Sequence, residues 1–196
     1  MKKKLSKKEA ILESATQLFS QKGYRTTSMS EVAREAGVAD GTIFYHFKTK
    51  EELFLAVLEN FKNELIAEFS TYLDGREFQT GLEKIEDLLS FYISLVNRLE
   101  DRFLLLHRHF PYTLAKNNPA CKSHLEEIYD SLITVFEQGI VQGQADGSID
   151  DLPARTMAMI IFTLVDGMVR LYSYHIYQNG PHYNDLIASC RRMLKK

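Results

Sequence analysis

The sequence has few residues that cross-link or interrupt a chain: it contains two cysteines, four prolines and no tryptophan. Cys121 and Cys190 lie far apart, which argues against a disulfide framework or a cysteine metal site. The most apolar run, Met157 to Val165, is much shorter than the roughly 20 residues that span a bilayer. The basic amino terminus is not followed by the apolar stretch of a secretory signal. These features predict a reduced, cytoplasmic protein with no membrane partner.

The formal charge is almost balanced over the chain but unevenly distributed along it. Residues 1–50 contain ten Lys and Arg against five Asp and Glu, a net charge of +5, whereas residues 51–196 contain 14 against 21, a net charge of −7. A basic head on an acidic body is typical of a protein whose head meets a polyanion. Short basic tails are also common, so Lys2, Lys3 and Lys4 alone do not decide the question.

Apolar residues recur at helical spacing along nearly the whole chain, and no stretch sustains an alternation with a period of two. The pattern therefore predicts an all-α fold of about nine helices. Helix starts are predicted at Ser6, Ser28 and Thr49, because each is followed three residues later by Glu, as in a capping box. Gly23 and Gly37 are predicted to end the first and second helices.

Longer helices are predicted for the carboxy-terminal part. Pro111 should kink or end a sixth helix over 101–114. An eighth helix is predicted over about 153–177, and Gly180–Pro181 should turn the chain into the last one. Three glycines four residues apart are interpreted as loosening and capping the end of the seventh helix: Gly139, Gly143 and Gly147.

The segment 28–47 has the pattern of a helix-turn-helix, in which two short helices meet at a tight turn and the second has one apolar and one polar face. Ala33 is small where the two helices would touch, and Gly37 permits the turn. Three apolar side chains of the segment are predicted to point inward: Val38, Ile43 and Phe47. Four polar side chains are left for the outside: Asp40, Thr42, Tyr45 and His46.

The same segment resembles the signature of the TetR/AcrR family of transcriptional regulators. The resemblance is carried by TTS at 26–28, VA at 32–33, AGV at 36–38 and GTIFYHFKTKEEL at 41–53. It implies an all-helical protein with a three-helix DNA-binding domain at 1–49 and a helical effector-binding and dimerisation domain at 50–196.

The resemblance also implies roles for individual residues in binding double-stranded DNA. Thr27 and Ser28 should present hydroxyl and backbone N–H groups to a phosphate. Gly41 and Thr42 should lie against base edges or the adjacent backbone. Four further residues should hold phosphates or sugars, or add charge contacts to the backbone: Tyr45, His46, Lys48 and Lys50.

Two positions of this interface depart from the family pattern. Phe44 stands where many members have Tyr, so one phosphate-binding hydroxyl is missing. Asp40 stands where many have a basic or hydroxyl residue. An acidic side chain there repels phosphate but can accept a hydrogen bond from cytosine.

The body contains 17 of the 22 aromatic residues, and most of these must be ordinary core. The resemblance implies an effector cavity among helices four to eight. Its predicted lining residues are Tyr92, Phe103, His107, Phe110, Tyr129, Phe162 and Asp166. Asp166 interrupts an apolar helix, and a buried carboxylate needs a partner. A position at the rim of the cavity or at the dimer interface is the alternative for this residue.

Other classes of function find less support in the sequence. No phosphate-binding glycine loop, nucleophile elbow or convincing carboxylate pair indicates an enzyme, and no cofactor is expected. His107 and His109 are two residues apart and would face different sides of a helix, so no metal site is predicted. A helical interaction module without DNA affinity remains open, and salt-dependent binding to duplex DNA would separate it from a regulator.

The expected mechanism is that of a homodimer formed through the last two helices. Two recognition helices would enter successive major grooves of a palindromic operator, roughly 34 Å apart. A small, largely apolar effector bound in the body would change that separation through the fourth helix and relieve repression. Activation and co-repression stay open as alternatives.

Overall fold

A computed structural model describes residues 5–174, 176 and 183–195. Within them the chain forms ten α-helices and no strand: α1 Lys7–Gln21, α2 Met29–Glu35, α3 Asp40–His46, α4 Lys50–Leu73, α5 Gly81–Arg98, α6 Glu100–Leu106, α7 His109–Ala115, α8 Pro119–Asp146, α9 Ala154–Ser173 and α10 Tyr183–Leu194. The all-α prediction is confirmed. The predicted turn at Gly180–Pro181 and the basic residues Lys2 to Lys4 lie outside the described residues.

The difference between nine predicted and ten observed helices comes from the predicted helix 101–114. It is two helices, α6 and α7, separated at His107 and Arg108, and the extended backbone of Arg108 (φ −69°, ψ 156°) caps the second. Pro111 neither kinks nor ends a helix, because it lies in the first turn of α7. A residue in that turn has no intrahelical partner for the N–H that proline lacks.

The predicted helix starts are confirmed, with one difference in detail. Ser6 and Glu9 form a reciprocal capping box, with distances of 2.7 and 3.2 Å. The hydroxyls of Ser28 and Thr49 accept the expected backbone N–H bonds, at 3.1 and 3.0 Å. Their glutamates do not return the bond: Glu31 pairs with the Lys22 ammonium instead.

The two turns of the amino-terminal region depend on glycine. Gly23, after α1, has a φ of +90°, and Gly37, between α2 and α3, has a φ of +65°. Side chains with a Cβ rarely adopt such values. Both glycines therefore set the directions in which α2 and α3 leave their turns, as the sequence predicts.

The chain divides into two compact units. The first comprises residues up to Phe69 together with Asp101–Glu127, and the second comprises Ser70–Glu100 together with the chain from Ile128 onward. The functional division at residues 49 and 50 stays a prediction. The first unit contains the described residues of the predicted DNA-binding domain. It also contains nearly all of α6, all of α7 and parts of α4 and α8.

The core of the first unit is built where α1, α2 and α3 pack together with α4. Ile11, Ala15 and Ile43 are fully buried, and Phe47 is almost so. Burying an aliphatic or aromatic side chain of this size stabilises a fold by about 1.5–3 kcal/mol. The burial of these side chains therefore holds the short α3 against the longer α1.

The second unit contains a close approach of α5 and α8 that corrects the interpretation of the glycines. A Cβ on Gly81 would lie 2.0 Å from the nitrogen of Gly143 and 2.6 Å from the carbonyl oxygen of Gly139. Gly139 and Gly143 thus let two helix backbones touch, and they do not loosen α8. Gly147, with a φ of +77°, lies just beyond α8, as predicted.

Helix α9 is more apolar than the run from Met157 to Val165 suggests. Over an 18-residue window the mean hydropathy of α9 is 1.3, so the helix is long and apolar enough to cross a membrane by length and composition alone. In the structure, 28% of that window is buried. Core helices of soluble proteins pass the same test. Several large apolar side chains of α9 stay exposed among the described residues: Met159, Ile160, Leu164 and Leu171.

Candidate nucleic-acid interface

Helix α3 has one face in the core and the opposite face in solvent. Ile43 is fully buried and Phe47, just after the helix, is 3% exposed, as predicted. Tyr45 is 76% exposed and Phe44 is 43% exposed. The two neighbouring rings form an exposed aromatic ridge that the described residues of the chain leave uncovered.

The angle between α2 and α3 is stabilised by a side-chain bridge that the sequence did not reveal. The Ser30 hydroxyl of α2 donates a hydrogen bond to the Asp40 carboxylate at the start of α3, at 2.8 Å. Asp40 therefore has a role inside the protein, besides the two effects on DNA considered for it. It holds the first turn of α3 against α2.

The amino-terminal half of α3 is open on its outer side. Gly41 is exposed, and a Cβ placed there would meet nothing within 4 Å. Thr42 is half-buried. The absence of a side chain at Gly41 leaves room for a close approach of the helix backbone to another molecule.

Tyr45 and His46 form an edge-to-face pair at the end of α3. Their ring centroids are 5.1 Å apart with an interplanar angle of 80°. His46 is half-buried, so its ring supports the protruding ring of Tyr45. Together they present a phenol hydroxyl and an imidazole beside the aromatic ridge.

The two lysines after α3 differ in their surroundings. The ammonium of Lys48 is exposed and donates to the Phe44 carbonyl at 3.1 Å, which places its charge at the carboxyl end of α3. The ammonium of Lys50 donates to the carbonyls of Tyr24 and Thr27, and burial lowers its pKa. Lys48 is the lysine available to a phosphate, whereas Lys50 supports the turn before α2.

The predicted phosphate contact of the Thr27 hydroxyl needs a correction. Thr27 is 1% exposed, and its hydroxyl donates to the Gly23 carbonyl at 3.0 Å, with the Leu18 carbonyl at 3.4 Å. This side chain is occupied within the turn and cannot also reach a phosphate. Ser28 is exposed, and its hydroxyl caps α2.

This geometry matches a known family of DNA-binding proteins. Residues 11–57, which include most of α1, all of α2 and α3, and the start of α4, match the family model for bacterial regulatory proteins of the tetR family. The helix-turn-helix region of the chain is therefore of the TetR type.

Similarity to curated bacterial regulators extends well beyond this region. The fatty acid metabolism regulator protein of Bacillus subtilis is 26% identical over 196 residues, which is 100% of this chain and 95% of that protein. The regulator AcrR of Shigella flexneri is 28% identical over 166 residues, covering 83% of this chain and 76% of that protein.

Solved structures share the fold. A regulator from Saccharomonospora viridis, in complex with choline, has a TM-score of 0.78 and 21% identity, covering 95% of this chain and 94% of its own. FadR from Bacillus subtilis, in complex with stearoyl-CoA, has a TM-score of 0.73 and 22% identity, covering 94% and 95%.

Four of the predicted effector-binding residues come together in the second unit. The Tyr92 hydroxyl donates to the Asp166 carboxylate at 2.7 Å, and the Tyr92 ring is fully buried. Phe162 makes edge-to-face contacts with Tyr92 and Tyr129, at 5.8 and 6.0 Å between centroids. Asp166 thus has the partner that a carboxylate on an apolar helix requires.

The other three predicted effector residues lie in the first unit. Phe103 packs edge-to-face on Phe61 at 5.2 Å and lies 6.4 Å from the His107 ring. Phe110 is elsewhere, stacked on Tyr24 at 3.8 Å with an interplanar angle of 10°. Phe110 therefore packs on the turn between α1 and α2, a contact for which the sequence offered no signal.

Two clefts on the second unit contain none of these residues. One, of about 490 Å³, lies between the start of α5 and Ile187 of α10 and is rich in carboxylates. The other, of about 170 Å³, lies beside Tyr172 and Tyr183. The effector assignments therefore stay predictions. Among the described residues no group of three or more His, Cys, Asp or Glu side chains is arranged to hold a metal.

Proposed function

We propose that this TetR-family regulator binds a palindromic operator as a homodimer and represses transcription until a largely apolar effector releases it. The observation that carries the proposal is the ridge of Phe44 and Tyr45 on a short helix whose other face is fixed in the core. A helix of this kind fits the major groove, where its outer side chains meet base edges and phosphates.

The DNA contacts that we assign follow from which residues around α3 and at the start of α2 are exposed or half-buried. Tyr45 and His46 contact phosphates or sugars, and Thr42 and the open Gly41 approach the base edges. Lys48 adds a charge contact to the backbone. A phosphate would bind at the amino terminus of α2, next to Ser28.

The dimer that we propose is formed through α9 and α10. Large apolar side chains on one stripe of α9 are exposed in the single chain: Met159, Ile160, Leu164 and Leu171. Gly167 lies on the same stripe and leaves open space for a close helix crossing. A second copy is the occupant that fits, because two helices from each chain would make a four-helix bundle with twofold symmetry.

We propose that the effector carries a long acyl chain. The support is the similarity to the fatty acid metabolism regulator protein of Bacillus subtilis. The alignment covers this chain and that protein almost from end to end. The aromatic cluster around Phe162 is the buried apolar region of the second unit that such a chain would have to enter. Because the regulator acts on chromosomal DNA, we place it in the cytoplasm, and we assign it no enzymatic activity.

The experiment that tests this function starts from selection of bound duplexes out of a random pool. The affinity for the selected duplex is then titrated at several salt concentrations, with and without stearoyl-CoA, with choline as the control ligand. We expect a twofold-symmetric sequence, steep salt dependence, and a loss of affinity of about a hundredfold with stearoyl-CoA only, corresponding to ~3 kcal/mol. A failure to enrich any sequence would instead support an interaction module, and an unaltered affinity with stearoyl-CoA would remove the acyl effector.

A further inference from the structure

The carboxyl end of α1 is capped by an arginine that lies 87 residues further along the chain. Arg108, between α6 and α7, donates from Nε to the Ser20 carbonyl at 2.6 Å and from Nη2 to the Gln21 carbonyl at 2.8 Å. The last carbonyls of a helix have no partner within the helix and carry its negative dipole end. Since α1 has no basic residue in its last turn, Arg108 supplies both the donors and the charge.

Helix α6 is attached to α1 at its other end as well. The Ser20 hydroxyl donates to the Asp101 carboxylate at 2.8 Å. Arg102 pairs with Glu13 of α1 at 2.6 Å and with Glu64 of α4 at 2.9 Å. Arg102 is 17% exposed, so these pairs are less screened than surface pairs. Three side chains, those of Asp101, Arg102 and Arg108, thus bind the segment α6–α7 to α1.

A stacked aromatic pair continues this attachment into the turn before α2. The Phe110 ring of α7 lies parallel to the Tyr24 ring, and both make edge contacts with Phe54 of α4, at 5.0 and 5.3 Å. The Lys50 ammonium lies 4.4 Å from the centre of the Tyr24 ring. Tyr24 immediately follows Gly23, the positive-φ residue that directs the chain toward α2.

From these contacts we infer that Arg108 and Phe110 are positioning residues for operator binding. They hold the carboxyl end of α1 and the turn into α2, and α1 shares its buried core with Ile43 and Phe47 of the recognition element. A shift of α6–α7 therefore changes the placement of α3 without any change in the side chains that face DNA. The inference rests on the proposed function for its readout in DNA affinity.

The test compares the full-length chain with Arg108→Ala, Arg108→Lys and Phe110→Ala. Arg155→Ala is the matched control, because Arg155 also bridges groups on another helix, Asp130 and Glu137, but lies in the second unit. Operator affinity is measured at several salt concentrations on protein whose folding is checked by circular dichroism. Amide hydrogen exchange is measured over residues 20–46.

We expect Arg108→Ala and Phe110→Ala each to weaken operator binding about tenfold with an unaltered salt slope. Arg108→Lys keeps a charged donor and should retain most of the affinity, which also preserves the test if Arg108→Ala does not fold. Exchange over residues 20–46 should accelerate in both alanine variants. Arg155→Ala should leave affinity and exchange in this region as they are.

Two results would overturn the inference. Affinity equal to that of the unmodified chain would show that the attachment does not position α3, and a flatter salt slope for Arg108→Ala would make Arg108 a direct phosphate contact. If the unmodified chain selects no duplex at all, the proposed function fails. Hydrogen exchange then still decides the inference, because unaltered exchange over 20–46 would contradict it independently of DNA.

Discussion

The ammonium nitrogen of Lys50 lies 2.8 Å from the carbonyl oxygen of Tyr24. A second bond, of 2.9 Å, joins it to the carbonyl of Thr27, so one side chain closes the turn between α1 and α2. Lys48, two residues earlier, directs its ammonium to the exposed end of α3. Two lysines that look equivalent in the sequence therefore have different roles.

Lys50→Ala should lower the free energy of unfolding by about 2 kcal/mol, because two carbonyls lose a charged donor. Lys48→Ala should leave thermal unfolding nearly unaltered and flatten the dependence of operator affinity on salt. Denaturant unfolding and salt titrations of both variants check this contrast. Equal effects of the two substitutions on stability would contradict the structural role of Lys50.

The double substitution Tyr45→Ala, His46→Ala should affect DNA binding and not folding. It removes two hydrogen-bonding groups per chain, each worth ~1 kcal/mol, so a dimer should lose several kcal/mol of DNA affinity. The change in unfolding free energy should be about 1 kcal/mol or less, because Tyr45 is exposed and His46 is half-buried.

Ile43→Ala is the control for that pair, since Ile43 is fully buried on the opposite face of α3. It should lower stability by ~2 kcal/mol or more through the cavity that it leaves. Thermal unfolding and duplex binding are measured on both variants. If the double variant unfolds at a lower temperature but keeps its DNA affinity, the recognition face has been assigned to the wrong side of α3.

Gly81→Ala should destabilise the second unit by about 3 kcal/mol, because the added methyl would collide with the backbone of α8. Gly41→Ala is the matched control: its methyl meets nothing within 4 Å, and alanine favours a helix over glycine. Denaturant unfolding compares the two. Similar stabilities for both variants would show that α5 and α8 do not approach as closely as the glycines indicate.

Leu164→Arg should convert the proposed dimer to monomers, because it places a charge on the exposed apolar stripe of α9. Val141→Arg is the control, at an apolar residue of α8 that lies outside that stripe and is also exposed. Light scattering coupled to gel filtration gives the mass of each variant. A dimer that survives Leu164→Arg but dissociates with Val141→Arg would move the interface to α8.

Local signals were sufficient for the helices and turns of the amino-terminal region. Ser6, Ser28 and Gly23 act through atoms within four residues of themselves, so their roles are readable from spacing. The inward and outward faces of α3 follow from helical periodicity for the same reason. Ile43 and Tyr45 lie where that periodicity predicts.

Contacts between distant residues were not predictable from the sequence. The pairing of Arg108 with the end of α1 and the stacking of Phe110 on Tyr24 join segments more than 80 residues apart. The resemblance places a cavity among helices four to eight, and the sequence does not distinguish an aromatic residue that lines it, as predicted for Phe110, from one that packs elsewhere. The resemblance likewise assigns the Thr27 hydroxyl to a phosphate, and the sequence does not show that this hydroxyl faces a backbone carbonyl.

A hydroxyl-radical footprint on the selected duplex tests the central claim most directly. Two recognition helices of one dimer, in successive major grooves, should protect two regions whose centres lie about 10 base pairs apart. The double substitution Tyr45→Ala, His46→Ala should abolish both regions together. A single protected region, or two that persist in the double variant, would contradict a dimer that reads its operator through α3.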